Sequence, residues 1–257
     1  MFDTGYITSQ DYNAALGAPM PEDWPMNLPT QSGFSGPALT RDFAEYAHDE
    51  LIQRYGANTA LQGGLSVYTT IDLRGQVAAH DIAYGPAGYL PNADDPDLAL
   101  VSIEPGTGRI KTMIGDRNEN SQFSLATQGR RQPGSSFKVF ALIAALEQGI
   151  DPNTKYMSEK KTYEVDVGFD KPEPWKVQNY DGIVRGEISL KEALWWSDNT
   201  VFADLAMNAE GRGLKNGPER IADVARRCGI TVDLPAHPKP SIVLGAYEMS
   251  PLDMASA

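Results

Sequence analysis

A hairpin pattern between positions 98 and 115 most constrains how this chain can fold. Two stretches rich in apolar and β-branched residues, LALVSIE and RIKTMIG, flank a turn of sequence Pro-Gly-Thr-Gly. Such a pattern predicts two antiparallel strands joined by a tight turn. The nearly continuous apolar run of the first stretch predicts a strand that is buried on both faces. We therefore expect a sheet within a fold that mixes strands and helices.

The segments around the hairpin predict a mixture of helices, one strand and loops. Apolar residues at helical spacing indicate helices, and a β-branched run indicates a strand. Density of Pro and Gly indicates irregular structure. In order, the predictions are a loop at 17–39, a helix at 40–55, a strand at 65–73, a helix at 74–84, an apolar helix from Ser135 to Gly149, irregular chain at 150–186, helices at 190–207 and 218–228, and a final stretch that begins as a strand and ends as a helix capped by Ser250.

Composition excludes several kinds of function. The 257 residues carry a formal net charge of −12, which argues against binding to nucleic acid or to an anionic membrane surface. The single cysteine, Cys228, excludes an internal disulfide. The three histidines lack the spacing of a zinc site, so neither a metal nor a cofactor is expected. No run of about 18 apolar residues is present that would cross a bilayer.

Ser135 and Lys138 lie three residues apart at the start of the apolar helix. On a helix their side chains share one face. A serine hydroxyl becomes a good nucleophile when a base takes its proton, and a neutral lysine is such a base. Burial and a neighbouring cation would lower the pKa of the lysine, and the helix dipole would favour the developing alkoxide. The alternative is a helix-capping serine followed by an ordinary first-turn lysine.

A second motif, Ser197-Asp198-Asn199, follows about 60 residues later. Together with Ser-x-x-Lys it is two thirds of the signature of penicillin-binding proteins and class A β-lactamases. Ser197 would pass a proton between Lys138 and a leaving amine, and Asn199 would hold the substrate amide. The alternative is a capping Ser-Asp-Asn without a catalytic role.

The flanks of both motifs resemble the transpeptidase domain of bifunctional class A penicillin-binding proteins. The similar stretches are, in order, GLSVYTTIDL, RQPGSSFKVF, PWKVQNYDG, GEISLKEALWWSDNTVF and LGAYEMSPLDMASA. The opening MFDTGYITSQDYNAAL resembles the end of the glycosyltransferase domain of the same proteins. The resemblance implies an α+β fold of the penicillin-binding-protein and serine β-lactamase type, αβα with an antiparallel sheet and an all-α insert. It implies three segments: a glycosyltransferase tail at 1–16, a linker region with a helix at 17–62, and a partial transpeptidase domain at 63–257.

The resemblance also implies a reaction and its residues. The activity would be peptidoglycan D,D-transpeptidation, in which a stem peptide ending in D-Ala-D-Ala acylates a serine and releases D-Ala. β-Lactam antibiotics would trap the same serine, and the protein would work outside the cytoplasm, held to the membrane through an anchor upstream of this sequence. The implied catalytic residues are Ser135, Lys138 and Ser197, and the implied substrate-binding residues are Asn199, Trp175 and Asn179, with loop packing as the alternative for the last two.

The sequence departs from the family at the third motif. No Lys is followed by Ser or Thr and then Gly, although in the family that strand binds the substrate carboxylate and supplies an oxyanion-hole amide. We therefore expect a fragment without the C-terminal strands, with an open apolar edge on the hairpin, that is poorly soluble or inactive. Two other functions stay open. One is a serine β-lactamase, for which no glutamate base can be identified, and the other is a non-catalytic penicillin-fold module that binds cell-wall peptide or a divisome partner.

Overall fold

The structure is a computed structural model that describes Gln10 and residues 38–118, 121, 123–166 and 172–257. The predictions for the other residues of 1–37 lie outside the described residues. The helices are α1 (Arg41–Tyr55), α2 (Ala57–Gln62), α3 (Leu73–Tyr84), α4 (Lys138–Glu147), α5 (Leu190–Trp195), α6 (Asn199–Met207), α7 (Gly217–Arg227) and α8 (Pro251–Ser256). The strands are β1 (Leu100–Glu104), β2 (Arg109–Ile114), β3 (Lys155–Ser158), β4 (Lys161–Val165), β5 (Glu173–Val177) and β6 (Gly186–Ser189).

The hairpin is present as predicted. β1 and β2 pair antiparallel, with Leu100 opposite Ile114 and a register shift after Ser102. The prediction that the first strand is buried on both faces was wrong, because every residue of β1 is at least partly exposed. The more buried strand is β2, in which Met113 has no exposed surface. An apolar run does not say which of two paired strands the helices will cover.

The predicted strand at 65–73 is absent from the structure. The stretch does lie along β2, where the Thr70 hydroxyl and the Asp72 amide donate to two carbonyls of that strand over 2.7 and 2.8 Å. One backbone bond does not make a ladder, so no strand forms. Further along, the Gln76 side chain on α3 accepts from the Met113 amide over 2.9 Å and donates to its carbonyl over 2.7 Å. The outer edge of β2 is therefore covered largely by side chains.

The prediction of irregular chain at 150–186 was also wrong. This region contributes two small antiparallel sheets, one of β3 with β6 and one of β4 with β5. In the second sheet Tyr163 lies opposite Trp175, and Pro174 lies opposite Glu164. A two-stranded sheet has free edges where a residue without an N–H is tolerated. The prolines therefore misled a prediction made from local sequence.

The predicted helix at 190–207 is broken in the middle. α5 ends at Trp195 and α6 begins at Asn199, because Ser197 adopts a left-handed backbone with φ of 52°. The helix predicted at 218–228 is confirmed as α7. The final stretch begins as a 3-10 turn at Pro240–Leu244 and not as a strand, but its helix α8 has the predicted Ser250 cap.

Three apolar clusters organise the described residues, and the smallest of them contains Tyr163, Val177 and Ala203. The main core contains 23 buried residues, contributed largely by α4, α5, α6 and α7 and the segments between them. The hairpin core is much smaller, with Phe43 of α1, Ile110 and Met113 of β2, and Ala126 buried in it. Both helices that carry the candidate site, α4 and α6, belong to the main core. Among the described residues, no helix is long and apolar enough to cross a membrane.

Candidate active site

The position of Ser135 is set by a close approach between two backbone segments. Gly134, with φ of 59°, lies against Gly245, where an added Cβ would meet the Gly134 carbonyl oxygen at 2.2 Å. Three residues before Gly134 and four residues after Gly245, Arg131 and Met249 exchange both backbone hydrogen bonds, over 3.1 and 3.0 Å. Only glycine fits such a contact. The segment from 245 to 249 therefore holds the turn in which Ser135 lies.

Ser135 and Lys138 meet because the helix begins as a 3-10 turn over Gly134–Phe137, with α4 following from Lys138. In 3-10 geometry the side chains of residues i and i+3 eclipse each other. Lys138 Nζ lies 3.2 Å from Ser135 Oγ. Ser135 is exposed, whereas Lys138 is 1% exposed. An accessible hydroxyl thus contacts a buried amine.

The Ser197-Asp198-Asn199 motif closes around the same amine. Lys138 Nζ lies 2.7 Å from the Ser197 carbonyl oxygen, 3.1 Å from Ser197 Oγ and 2.7 Å from Asn199 Oδ1. Carbonyl and amide oxygens only accept, whereas hydroxyls both donate and accept. A neutral amine has two protons and one lone pair. It satisfies this set by donating to the two carbonyl-type oxygens and turning its lone pair to a serine hydroxyl.

Burial tunes the amine toward that neutral form. Loss of hydration lowers the pKa of Lys138 to about 8, and the Asp198 carboxylate opposes this shift. The Phe202 ring, 5.5 Å from Nζ, also favours the cation. The sequence-based expectation of burial was right. Of the two effects that lower a lysine pKa, burial acts here, whereas the charged neighbour that affects Lys138 is a carboxylate.

Asp198, to which no role was assigned from the sequence, is fully buried behind the site. Its Oδ1 caps α6 by accepting from the Thr200 and Val201 amides, each over 3.0 Å. Its Oδ2 accepts from the Ser158 hydroxyl over 2.5 Å and from the Asn179 amide over 2.7 Å. Burial alone would raise the pKa of Asp198, but these donors outweigh burial and hold it below its usual value. The carboxylate is therefore charged in the interior.

Asn179 lies in this interior and is 6% exposed. Its Oδ1 accepts from the Asn199 backbone amide over 2.8 Å. Its Nδ2 donates to Asp198 and, over 2.9 Å, to the Ile183 carbonyl. Trp175 lies half-buried on β5, with its ring 5.7 Å from that of Tyr163. The prediction that these two residues bind substrate stays a prediction.

The structure thus gathers Ser135, Lys138, Ser197 and Asn199 around one nitrogen atom. Sequence analysis missed Ser158 and Arg185, whose Nη1 lies 3.6 Å from Asp198 Oδ2. Neither belongs to a motif, so only the tertiary fold shows that they face Asp198. No group of three or more His, Cys, Asp or Glu side chains in the described part of the chain is placed to hold a metal.

A serine on a tight turn, a buried lysine of lowered pKa and a second serine lie within hydrogen-bonding distance of one another, which is an arrangement suited to acyl transfer. The family model of the penicillin binding protein transpeptidase domain matches residues 98–255. The chain belongs to this family, and it corresponds to the transpeptidase domain of a class A penicillin-binding protein.

Individual relatives give the same assignment. Penicillin-binding protein 1A of Mycolicibacterium smegmatis is 34% identical over the whole chain, which spans 32% of that protein. Penicillin-binding protein 1A of Mycobacterium tuberculosis is 39% identical over 76% of this chain and 23% of its own length. The solved structure of the M. tuberculosis PonA1 protein in complex with penicillin V is 35% identical, with a TM-score of 0.68 over 82% of this chain and 55% of that one. The chain therefore spans about a third or less of these curated relatives and about half of the solved chain.

Proposed function

We propose that this chain carries the nucleophile and base of a peptidoglycan D,D-transpeptidase. Ser135 is the nucleophile, Lys138 the base, Ser197 the proton carrier and Asn199 the group that holds the substrate amide. The substrate is a stem peptide ending in D-Ala-D-Ala, and β-lactams are its mimics. The site works outside the cytoplasm, in the cell envelope.

The reaction begins when Ser135 Oγ attacks the carbonyl carbon of the penultimate D-Ala. Lys138 takes the hydroxyl proton, and a bond forms between Oγ and that carbon. The C–N bond to the terminal D-Ala breaks, and the proton passes from Lys138 through Ser197 to the leaving nitrogen. The amine nitrogen of a second stem peptide then attacks the acyl carbon and forms the cross-link. The ester bond between that carbon and Ser135 Oγ breaks, and a proton from the amine returns to Oγ. A β-lactam opens at its amide in the first step and stays attached.

The observation that carries the proposal is the set of four oxygen atoms around Lys138 Nζ. Two obligate acceptors at 2.7 Å orient the amine, so its lone pair is left for a hydroxyl. A pKa of about 8 gives a useful neutral fraction near neutral pH. A helix-capping serine would need no buried lysine beside it. The PonA1 complex with penicillin V supports β-lactam binding at this kind of site.

Labelling of the chain with a fluorescent penicillin, followed by mass spectrometry of the labelled peptide, tests the nucleophile. We expect slow labelling at Ser135 that is lost in Ser135→Ala. Ser136→Ala is the matched control, because the Ser136 hydroxyl is exposed and donates to the Pro133 carbonyl over 2.7 Å. The rate should be low because the sequence has no Lys-Ser/Thr-Gly motif, and one missing oxyanion donor costs about 10²–10³ in rate. Labelling that survives in Ser135→Ala would refute the assignment, and fast stoichiometric labelling would refute the expected impairment.

The pH dependence of labelling tests the base. Below its pKa Lys138 is protonated and cannot accept the Ser135 proton, so the rate should rise with pH and level off above about 8. Lys138→Met keeps the buried chain and removes the amine, and it should lower the plateau by about 10²–10⁴. A Lys138→Met variant that labels at the rate of the unchanged chain would exclude Lys138 as the base.

A second candidate is a non-catalytic module that binds cell-wall peptide. Such a module would bind a D-Ala-D-Ala peptide without ever acylating. A folded chain that binds the peptide yet shows no label after prolonged exposure to penicillin would favour this function over the first.

A further inference from the structure

We propose that Asn179 and Asp198 are positioning residues that hold Asn199, and through it Lys138, against Ser135. This inference rests on the proposed function, since it concerns the same amine and nucleophile. It gives Asn179 a role behind the site and not in contact with substrate. It also gives the middle residue of the second motif a function that helix capping alone does not explain.

The first part of the argument is the path of hydrogen bonds. Asn179 Oδ1 accepts from the Asn199 backbone amide over 2.8 Å, and Asn199 Oδ1 accepts from Lys138 Nζ over 2.7 Å. Asn199 Nδ2 donates to the Gln178 carbonyl over 3.1 Å. The loop between β5 and β6 therefore holds Asn199 through two hydrogen bonds, one to its backbone and one to its side chain. A side-chain amide has an oxygen on one side and an NH2 group on the other, and the bond from Nδ2 to Gln178 fixes the orientation in which the oxygen faces the lysine. Removing Asn179 therefore frees Asn199 on its backbone side.

The second part is the anchor beneath Asn179. Asp198 is fully buried and accepts from four side-chain or backbone donors besides Asn179. Its position is fixed on one side by the first turn of α6 and on the other by Ser158 at the end of β3. Asn179 donates to the Asp198 side chain and accepts from the backbone amide of Asn199, so it holds the chain at the point where α6 begins. A rigid anchor of this kind keeps the distance and orientation between reacting groups constant.

The third part is charge. The Asp198 carboxylate favours the cationic form of Lys138. Arg185, before β6, lies 3.6 Å from the same carboxylate. The charge of Asp198 also favours the cationic form of Lys161 of β4, to a smaller extent than the nearer Glu210 does. Lys161 is itself paired with Asp204 of α6. Replacing Asp198 by a neutral residue removes an attraction, so it should move the titration of Lys138 to lower pH. Replacing Asn179 removes no charge and should leave that titration where it is.

Two variants of the chain separate these effects, with the penicillin labelling rate measured across pH. Asp198→Asn should move the midpoint of the rate profile to lower pH and also lower its plateau. Asn179→Ala should lower the plateau about tenfold or more without moving the midpoint, because misplacement of a reacting group is costly. The matched control is Asp204→Asn, a buried aspartate on the same helix that bonds Lys161 and Tyr163. It should lower the melting temperature and leave the midpoint unchanged.

A titration of the Lys138 side chain by NMR, in chain labelled at the lysine Nζ and Cε, measures the same midpoint without acylation. If the unchanged chain never acylates, the proposed function fails, but the NMR midpoint still tests this inference. Ser158→Ala is a milder third variant for the case in which Asn179→Ala does not fold. It removes one donor to Asp198, keeps the bond to Asn199, and should lower the rate by less. An unmoved or raised midpoint in Asp198→Asn, or an unchanged rate in folded Asn179→Ala, overturns the proposal.

Discussion

The main core and the hairpin core differ in how completely each is enclosed. The main core has 23 buried residues, and the buried side chains of Asp198 and Asn179 beside it are hydrogen-bonded to other protein atoms. The hairpin core has four buried residues. The edge of β2 is covered by Thr70, Asp72 and Gln76. The other edge of this sheet, on β1, has no such cover among the described residues. Apart from the bonds in the turn at Glu104, the backbone hydrogen bonds of β1 all go to β2.

The candidate site lies in the better-packed of these two regions. Ser135, Lys138 and Asn199 lie on segments that pack into the main core, and none of their contacts described above depends on the hairpin. Apolar burial is the largest favourable term in folding, so the region with more of it should open last. We therefore expect the geometry of the amine and nucleophile to be more robust than the sheet beside it.

The largest expected effect is a difference between two matched core truncations. Phe140 in the main core is 2% exposed and packs edge-on against Phe137 at 4.7 Å, whereas Phe43 in the hairpin core is 6% exposed. Phe140→Ala should lower the free energy of unfolding by about 3–5 kcal/mol, the usual cost of a buried phenylalanine. Phe43→Ala should cost less than this range because fewer buried groups surround it. Urea unfolding followed by tryptophan fluorescence measures both.

The comparison between the two cores also predicts how each of these two substitutions affects the penicillin labelling rate. Phe43→Ala should leave the penicillin labelling rate within about twofold, because it lies outside the core that carries the site, and Phe140→Ala should not. Equal losses of stability for the two variants, or a labelling rate that follows Phe43, would mean that the two cores fold as a single cooperative unit.

A smaller effect is expected at the covered edge of the hairpin. Gln76→Leu keeps the size of the side chain but leaves the Met113 N–H and C=O without the partners they have now. A buried group left unpaired costs about 1–3 kcal/mol. Hydrogen exchange at the Met113 amide should become faster, while labelling of Ser135 should stay the same. Gln53→Leu, at an exposed position on α1, is the control and should change neither.

The sequence predicted the elements that local patterns encode. The hairpin turn, the amphipathic α7 and the Ser250 cap depend on residues close together in the chain, so they could be recognised. The sheets of β3 with β6 and of β4 with β5 could not, because cross-strand partners lie up to 34 residues apart, as Lys155 and Ser189 do. Pairing over such distances leaves no periodic signal in either strand.

The candidate site divides in the same way. Ser135 and Lys138 lie one turn apart, and the second motif is contiguous, so both could be found by reading along the chain. The buried groups behind them come from β3, from the loop at 178–185 and from the first turn of α6. No spacing connects these segments. The carboxylate beside Lys138 could not be recognised either, because the sequence shows Asp198 only as the middle residue of a motif and not as a buried charge.

The smallest effect on stability is expected at the bare edge of β1, where the readout is association. Ser102 is an exposed residue of β1, and a lysine there should discourage edge-to-edge pairing between chains. Ser102→Lys should therefore raise the concentration at which light scattering begins, with unfolding free energy and labelling rate unchanged. The variant also reduces the net negative charge, which by itself would favour association. Gln53→Lys makes the same change in charge away from the edge, so a benefit seen with Ser102→Lys alone assigns the association to β1, and an equal response of the two variants excludes that edge.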